Sequence, residues 1–214
     1  MKYDHSSKHT GLSNLSKKSS DVSEYYDDWA EDYNRTLAAW RYEAPQKIAS
    51  MLSDKLPPDS TILDVGSGTG LCGSALLTAG FATIDGLDVS QVSLEIASMT
   101  EAYRSLTAID MQRLPLPIPN DHYDGLVCVG VLTYLADTVS TLKEFNRVVR
   151  SDGFVAITQR SDLMAERDFR SILDDLLNKG VIAQVYISEP SPYLPNNDEY
   201  SDQLLVHYII YKVA

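Results

Sequence analysis

Cysteine, histidine and basic side chains are all scarce in this chain, and each scarcity removes a class of chemistry. Cys72 and Cys128 are the two cysteines among 214 residues. Both lie far apart in apolar surroundings, so they read as small core residues of a reducing compartment and not as a disulfide or a zinc site. The histidines His5, His9, His122 and His207 show no ligand spacing, and no metal is expected. Against 30 acidic side chains stand 18 basic ones, a formal net charge of -12. That balance argues against a nucleic-acid partner, because phosphate binding needs a basic face that this chain would have to assemble against its own field. No serine sits in a nucleophile-elbow pattern. No apolar run is long enough to cross a bilayer, and the start lacks the apolar block of a signal peptide. No membrane partner is expected, and the expected location is cytoplasmic.

What the chain does have is a strand running into glycines. In Thr61-Ile62-Leu63-Asp64-Val65-Gly66-Ser67-Gly68-Thr69-Gly70, the apolar residues read as a short buried strand and three alternating glycines as a tight loop. Glycines so spaced permit positive φ and let a ligand approach the main chain with no Cβ in the way. Leu71 to Ala79 is apolar and helical in character, so the loop opens onto a helix N-terminus. A strand, a glycine turn and a helix form the first half of a nucleotide-type site.

The remaining chain is ordered around that unit. Residues 1–20, rich in Ser, Lys and His, read as a disordered tail. An N-terminal helical lid is expected over 21–56: Tyr25, Trp29, Tyr33, Leu37 and Trp40 recur at helical spacing, and Pro45 suits the first turn of a second helix. The stripe could simply pack on the domain, or close over a ligand with Trp29 and Tyr33 facing in. Over 57–214 strands alternate with helices, with Asp88 and Asp110 at the ends of the second and third strands and Ser90 and Asp137 placed as helix caps. The Pro115, Pro117, Pro119 run must be loop. Val181 to Ile187 and Leu204 to Val213 are strand-like with no helix between, so they should pair antiparallel. The expected fold is α/β: a single Rossmann-like, seven-stranded, mostly parallel sheet with one antiparallel strand and helices on both faces.

In such sheets the ligand lies at the carboxyl ends of the strands. The glycine loop, Asp88, Asp110 and the Val129-Gly130 turn therefore share one rim. Asp88 lies about 20 residues beyond the loop, where a carboxylate reaches ribose hydroxyls. Taken singly, each aspartate reads as a cap or a solvated residue; their placement at successive strand ends makes the case.

On these residues the chain resembles the class I S-adenosylmethionine-dependent methyltransferases over roughly residues 24 to 160. The matching pieces are Leu63 to Gly70, Gly86-Leu87-Asp88-Val89-Ser90, Asp110-Met111 with Leu114-Pro115, Tyr123-Asp124, and Leu142 to Gly153. The Tyr25 to Tyr33 entry with Ala44-Pro45 is similar to the small methyltransferase-like group that includes methyltransferase-like protein 27. The resemblance implies S-adenosyl-L-methionine as cofactor, with S-adenosyl-L-homocysteine as product. It implies that Gly66, Ser67 and Gly68 lie against the methionyl part and that Asp64 braces the loop or meets the ammonium. Asp88 would take the ribose hydroxyls, Val89 pack on the adenine, Asp110 accept from the adenine amino group, Met111 offer its backbone, and Val129 lie near the methionyl amine. The fourth strand ends Val127-Cys128-Val129-Gly130 and lacks the Asn/Asp-Pro-Pro-Tyr motif used on exocyclic amines of bases. This leaves a small-molecule substrate first and a protein side chain second, enclosed by the lid, the Tyr134 region and the Ser188 to Asp202 loop. No catalytic residue is assigned; Tyr134 and His207 are considered as helpers, against a packed tyrosine and a surface histidine.

Two other functions compete. Gly68-Thr69-Gly70-Leu71-Cys72-Gly73 is a literal G-x-G-x-x-G, which would suit an NAD-dependent oxidoreductase. However, the place directly after the strand belongs to Gly66, and the chain has no second mononucleotide half. A non-catalytic S-adenosylmethionine-binding protein would present the same cofactor residues with a blocked acceptor pocket.

Overall fold

A computed structural model describes residues 18–197 and 203–214. Most of the expected tail lies outside these residues, and the N-terminal helix α1 spans Ser19–Ala39, starting before the expected lid boundary. Helix α2, Ala44–Ser53, has Pro45 in its first turn, where the missing N–H would have had no intrahelical partner.

The sheet contains β1 (Thr61–Val65), β2 (Thr83–Asp88), β3 (Ser105–Ala108), β4 (Tyr123–Cys128) and β5 (Val149–Arg160), followed by β6 (Ile182–Ile187), β7 (Ser191–Pro192) and β8 (Leu205–Val213). The connecting helices are α3 (Leu71–Thr78), α4 (Gln91–Ser98), α5 (Thr138–Val148), α6 (Ser161–Glu166) and α7 (Phe169–Asn178). Strand order is β3-β2-β1-β4-β5-β8-β6, with β7 pairing β8. From β1 the chain winds outward to β3, then returns to place β4 on the other side of β1, so the order reverses between β1 and β4. That reversal opens a crevice at the carboxyl ends of the strands. The reversed strand is β8, antiparallel to β5, β6 and β7. The expected sheet is therefore present, with the two-residue β7 added to its seven strands.

Both faces of the central strands are covered, which is why β1, β4 and β8 are buried at nearly every position. Leu63, Val65, Leu126, Cys128, Val155, Ile157 and Tyr211 meet Leu142, Phe145, Phe169 and Leu173 on one side. The alternate residues Ile62, Ile84, Val127, Ala156 and Ile210 meet Ile48, Leu52, Leu76 and Phe81 on the other. Fully burying side chains of this size contributes roughly 1.5–3 kcal/mol each. A third cluster joins the end of α1, through Leu37 and Trp40, to Leu194 and Leu204 ahead of β8. Ser90 and Asp137 cap α4 and α5, accepting from Ser93 N and Ser140 N at 2.9 Å. Ahead of β3, Tyr103 turns inward, where its hydroxyl is hydrogen-bonded to β1 and α3.

Candidate active site

The turn after β1 has its shape from three left-handed glycines, Gly66, Gly68 and Gly70, at φ 78, 51 and 91°. Gly66 admits no side chain, since a Cβ there would lie 2.2 Å from Val131 Cγ2. Gly66 N and Ser67 N both donate to Leu87 O, at 2.7 and 2.9 Å, and tie the turn to the end of β2. There the Asp88 carboxylate bridges two elements: Oδ2 accepts from Gly68 N at 2.8 Å and Oδ1 from Ser90 N at 2.9 Å. A carboxylate has about four lone-pair sites, so both oxygens retain accepting capacity toward the crevice. Burial pushes the Asp88 carboxyl up, against the backbone donors of Ser90 and Gly68.

Asp110 stands after β3. Its Oδ1 accepts from Ser19 Oγ at 2.7 Å and Gln112 N at 3.0 Å, and Arg113 Nε approaches Oδ2 at 3.3 Å. At the end of β4, Gly130 N donates to Thr158 Oγ1 at 2.8 Å. These strand ends enclose a cleft of about 1170 Å³, its open mouth included. Of the residues expected at the site, Tyr33, Gly66, Gly68, Asp88, Val89, Asp110, Met111 and Val129 line it. Ser67 contributes main chain, while its hydroxyl is buried without a hydrogen-bond partner among the described residues. The side chain of Trp29 lies outside the described residues.

Asp64 is fully buried and does not line the cleft. Its Oδ2 accepts from the Tyr103 hydroxyl at 2.7 Å, and that hydroxyl accepts from Gly73 N at 3.0 Å. Asp64 thus reaches the start of α3 through a tyrosine. Burial pushes its carboxyl up to about 7 despite the Tyr103 hydrogen bond.

α1 crosses the rim and is held to three strand ends. Ser19 meets Asp110, Asp27 takes a short hydrogen bond from Ser90 Oγ, and Asn34 accepts from Thr69 Oγ1. Tyr134, expected beside the acceptor, does line the cleft. His207 does not: it is buried on β8 with Nδ1 2.8 Å from Ser188 O, neither a helper nor a surface residue.

Sequence reasoning missed Tyr42, Tyr193 and Arg160, all lining the cleft. Tyr42 and Tyr193 meet edge-on, with ring centroids 5.1 Å apart and hydroxyls at 3.0 Å. Arg160 ends β5, so the strand-end rule that found Asp88 also applies to it. In the sequence the strand-like run Phe154 to Thr158 stops short of it, which hid it.

The donor set suits a nucleoside with an amino-acid tail. It offers bare main chain at the glycine turn, an accepting carboxylate on β2, and the apolar Val89 and Met111 beside it, with no lysine in the turn to meet a phosphate. A dinucleotide fits less well, because the reversed β8 occupies the position beside β5 where a parallel sixth strand would build a second nucleotide half.

A family model described as a methyltransferase domain matches residues 63–157. The human methyltransferase-like protein 27 is 33% identical over 163 residues, covering 73% of this chain and 66% of that protein. Demethylmenaquinone methyltransferase of Bacillus licheniformis is 36% identical over 133 residues, 61% of this chain and 57% of that protein. The chain therefore spans less than two thirds of the length of these relatives. The TehB-like S-adenosylmethionine-dependent methyltransferase of Corynebacterium glutamicum shares the fold at a TM-score of 0.64, with 16% identity over 89% of this chain and 99% of that one. The chain belongs to the class I S-adenosylmethionine-dependent methyltransferases, and S-adenosylmethionine is its cofactor.

Proposed function

We propose that the protein moves a methyl group, by direct in-line displacement, from S-adenosylmethionine to a small-molecule acceptor. The observation that carries this reading is the Asp88 carboxylate, fixed by Gly68 N and Ser90 N, in one cleft with the aromatic group Tyr42, Tyr134 and Tyr193. Asp88 is assigned the ribose hydroxyls, Val89 a packing contact with the adenine, Asp110 the adenine amino group, and Met111 a backbone contact. The main chain at Gly66, Ser67 and Gly68, with Val129, is assigned the methionyl end. Asp64 is assigned no contact with the cofactor; it braces the turn through Tyr103 and Gly73.

Bound S-adenosylmethionine supplies a methyl group on a sulfonium, whose leaving group needs no proton. The chain's task is then to line up an acceptor lone pair and keep water out. Tyr42, Tyr134 and Tyr193 wall the acceptor end, and α1 covers the rim. Burial pushes the hydroxyls of Tyr33, Tyr42 and Tyr193 up, the first two well above the ordinary range. They stay protonated at neutral pH, so they orient an acceptor by hydrogen bonding and do not take its proton. The tyrosine walls and the cover of α1 favour a small acceptor over a protein side chain.

Calorimetry tests the reading. S-adenosylmethionine and S-adenosylhomocysteine should bind in the micromolar range, Asp88→Ala should lose both, and NAD should not bind. Tight NAD binding with no response to the sulfonium compound would refute it. Binding without turnover of any acceptor from a metabolite pool would favour a non-catalytic binder instead.

A further inference from the structure

Among the described residues, Arg160 is the only Lys, Arg or His side chain on the cleft, in a chain whose formal charge is -12. It is the last residue of β5, three strands along the sheet from β2. At about 4.8 Å per strand, this puts it about 14 Å from the strand that carries Asp88. It therefore belongs to the acceptor end and not to the nucleoside end.

Its side chain is 14% exposed, and one edge of the guanidinium is taken: Nε donates to Asp162 Oδ1 at 3.1 Å and Nη2 to Oδ2 at 2.6 Å. Asp162 itself is 56% exposed, so this pairing orients the arginine from the solvent side without covering it. Nη1 makes no hydrogen bond among the described residues. A guanidinium carries five N–H donors in a rigid fork, and the Nη1 edge, which is not sealed from the cleft, is open to a further acceptor. Tyr134 and the Tyr42–Tyr193 pair share the cleft with it and present apolar ring surface.

We infer that the methyl acceptor is a flat, ring-bearing small molecule with a carboxylate, that Arg160 receives the carboxylate, and that the tyrosines receive the ring. The inference rests on the methyltransferase reading and names the substrate class of its acceptor site. A lone guanidinium with no second cation on the cleft among the described residues suits a monoanion better than a phosphate dianion, and its geometry matches a planar carboxylate.

The test is calorimetry on the full chain saturated with S-adenosylhomocysteine, using paired probes: 4-hydroxybenzoate against 4-hydroxybenzamide, and indole-3-acetate against indole-3-acetamide. The carboxylates should bind about ten-fold or more tightly than their amides, as expected for a charge-assisted hydrogen bond in a sheltered site. Arg160→Gln should erase that preference while leaving S-adenosylhomocysteine affinity unchanged. Arg160→Lys, which keeps the charge but not the fork, should retain part of it, whereas a purely structural arginine would give both variants one profile. Equal binding of acid and amide, no binding of either carboxylate, or a preference that survives in Arg160→Gln would overturn the assignment. Failure of S-adenosylhomocysteine itself to bind would overturn the methyltransferase reading and this assignment with it.

Discussion

Replacing Asp64 with asparagine should change how stability depends on pH. Asp64 is fully buried and holds one strong hydrogen bond, from Tyr103. Burial lifts its carboxyl from an ordinary 3.8 to about 7. A rise of that size corresponds to about 4 kcal/mol of preference for the protonated form in the folded state. Between about pH 4 and pH 7 the folded protein keeps a proton that the unfolded chain has released, so stability falls as pH rises across that window. Below it both states are protonated; above it both are ionised and the penalty of about 4 kcal/mol is fully felt. The amide introduced by Asp64→Asn carries no titrating proton, and its oxygen can still accept from Tyr103. Urea unfolding of both proteins at half-unit steps from pH 4 to pH 8 isolates the effect, because every other titrating group is common to the pair. The difference should move in favour of Asp64→Asn by up to about 4 kcal/mol as pH rises. Parallel curves across that range would refute the account of Asp64 as a desolvated acid.

Two further perturbations probe the rim. Asp27→Ala combined with Asn34→Ala removes two of the hydrogen bonds that hold α1 over the strand ends. Two bonds of about 1 kcal/mol each should weaken cofactor binding by up to about thirty-fold, with the unfolding transition of the sheet little changed. Unchanged affinity in calorimetry would mean that α1 is packing and not a lid. Gly66→Ala would force a side chain into a left-handed φ of 78° and 2.2 Å from Val131 Cγ2. It should lose about 2 kcal/mol or more of stability in denaturant unfolding, and a neutral effect would mean that the turn has another shape.

How much of this was legible in the sequence depended on how local each signal is. The glycine turn, Asp88 and Asp110 were readable because each follows directly from a strand end, and strand ends are written as apolar runs stopped by glycine or aspartate. Ser90 and Asp137 were readable as caps for the same reason. Asp64 drew attention beside the glycines, but its role depends on Tyr103, 39 residues away. Nothing local could announce that pairing. The Asn34–Thr69 contact and the Tyr42–Tyr193 pair likewise join segments that meet only once the sheet is built. On residue type alone His207 reads as a surface histidine, yet β8 lies inside the sheet between β5 and β6 and buries it. Arg160 was lost through a boundary: β5 runs two residues beyond the apolar stretch, and the last residue carries the charge.

The central claim is that adenosine is gathered by the ends of β1, β2 and β3, with Asp88 as its polar anchor. Titrating S-adenosylhomocysteine into the intact protein and into Asp88→Ala asks this most directly. Micromolar affinity in the first and none in the second, with both proteins folded, is the predicted result. Equal affinity in the two would contradict it.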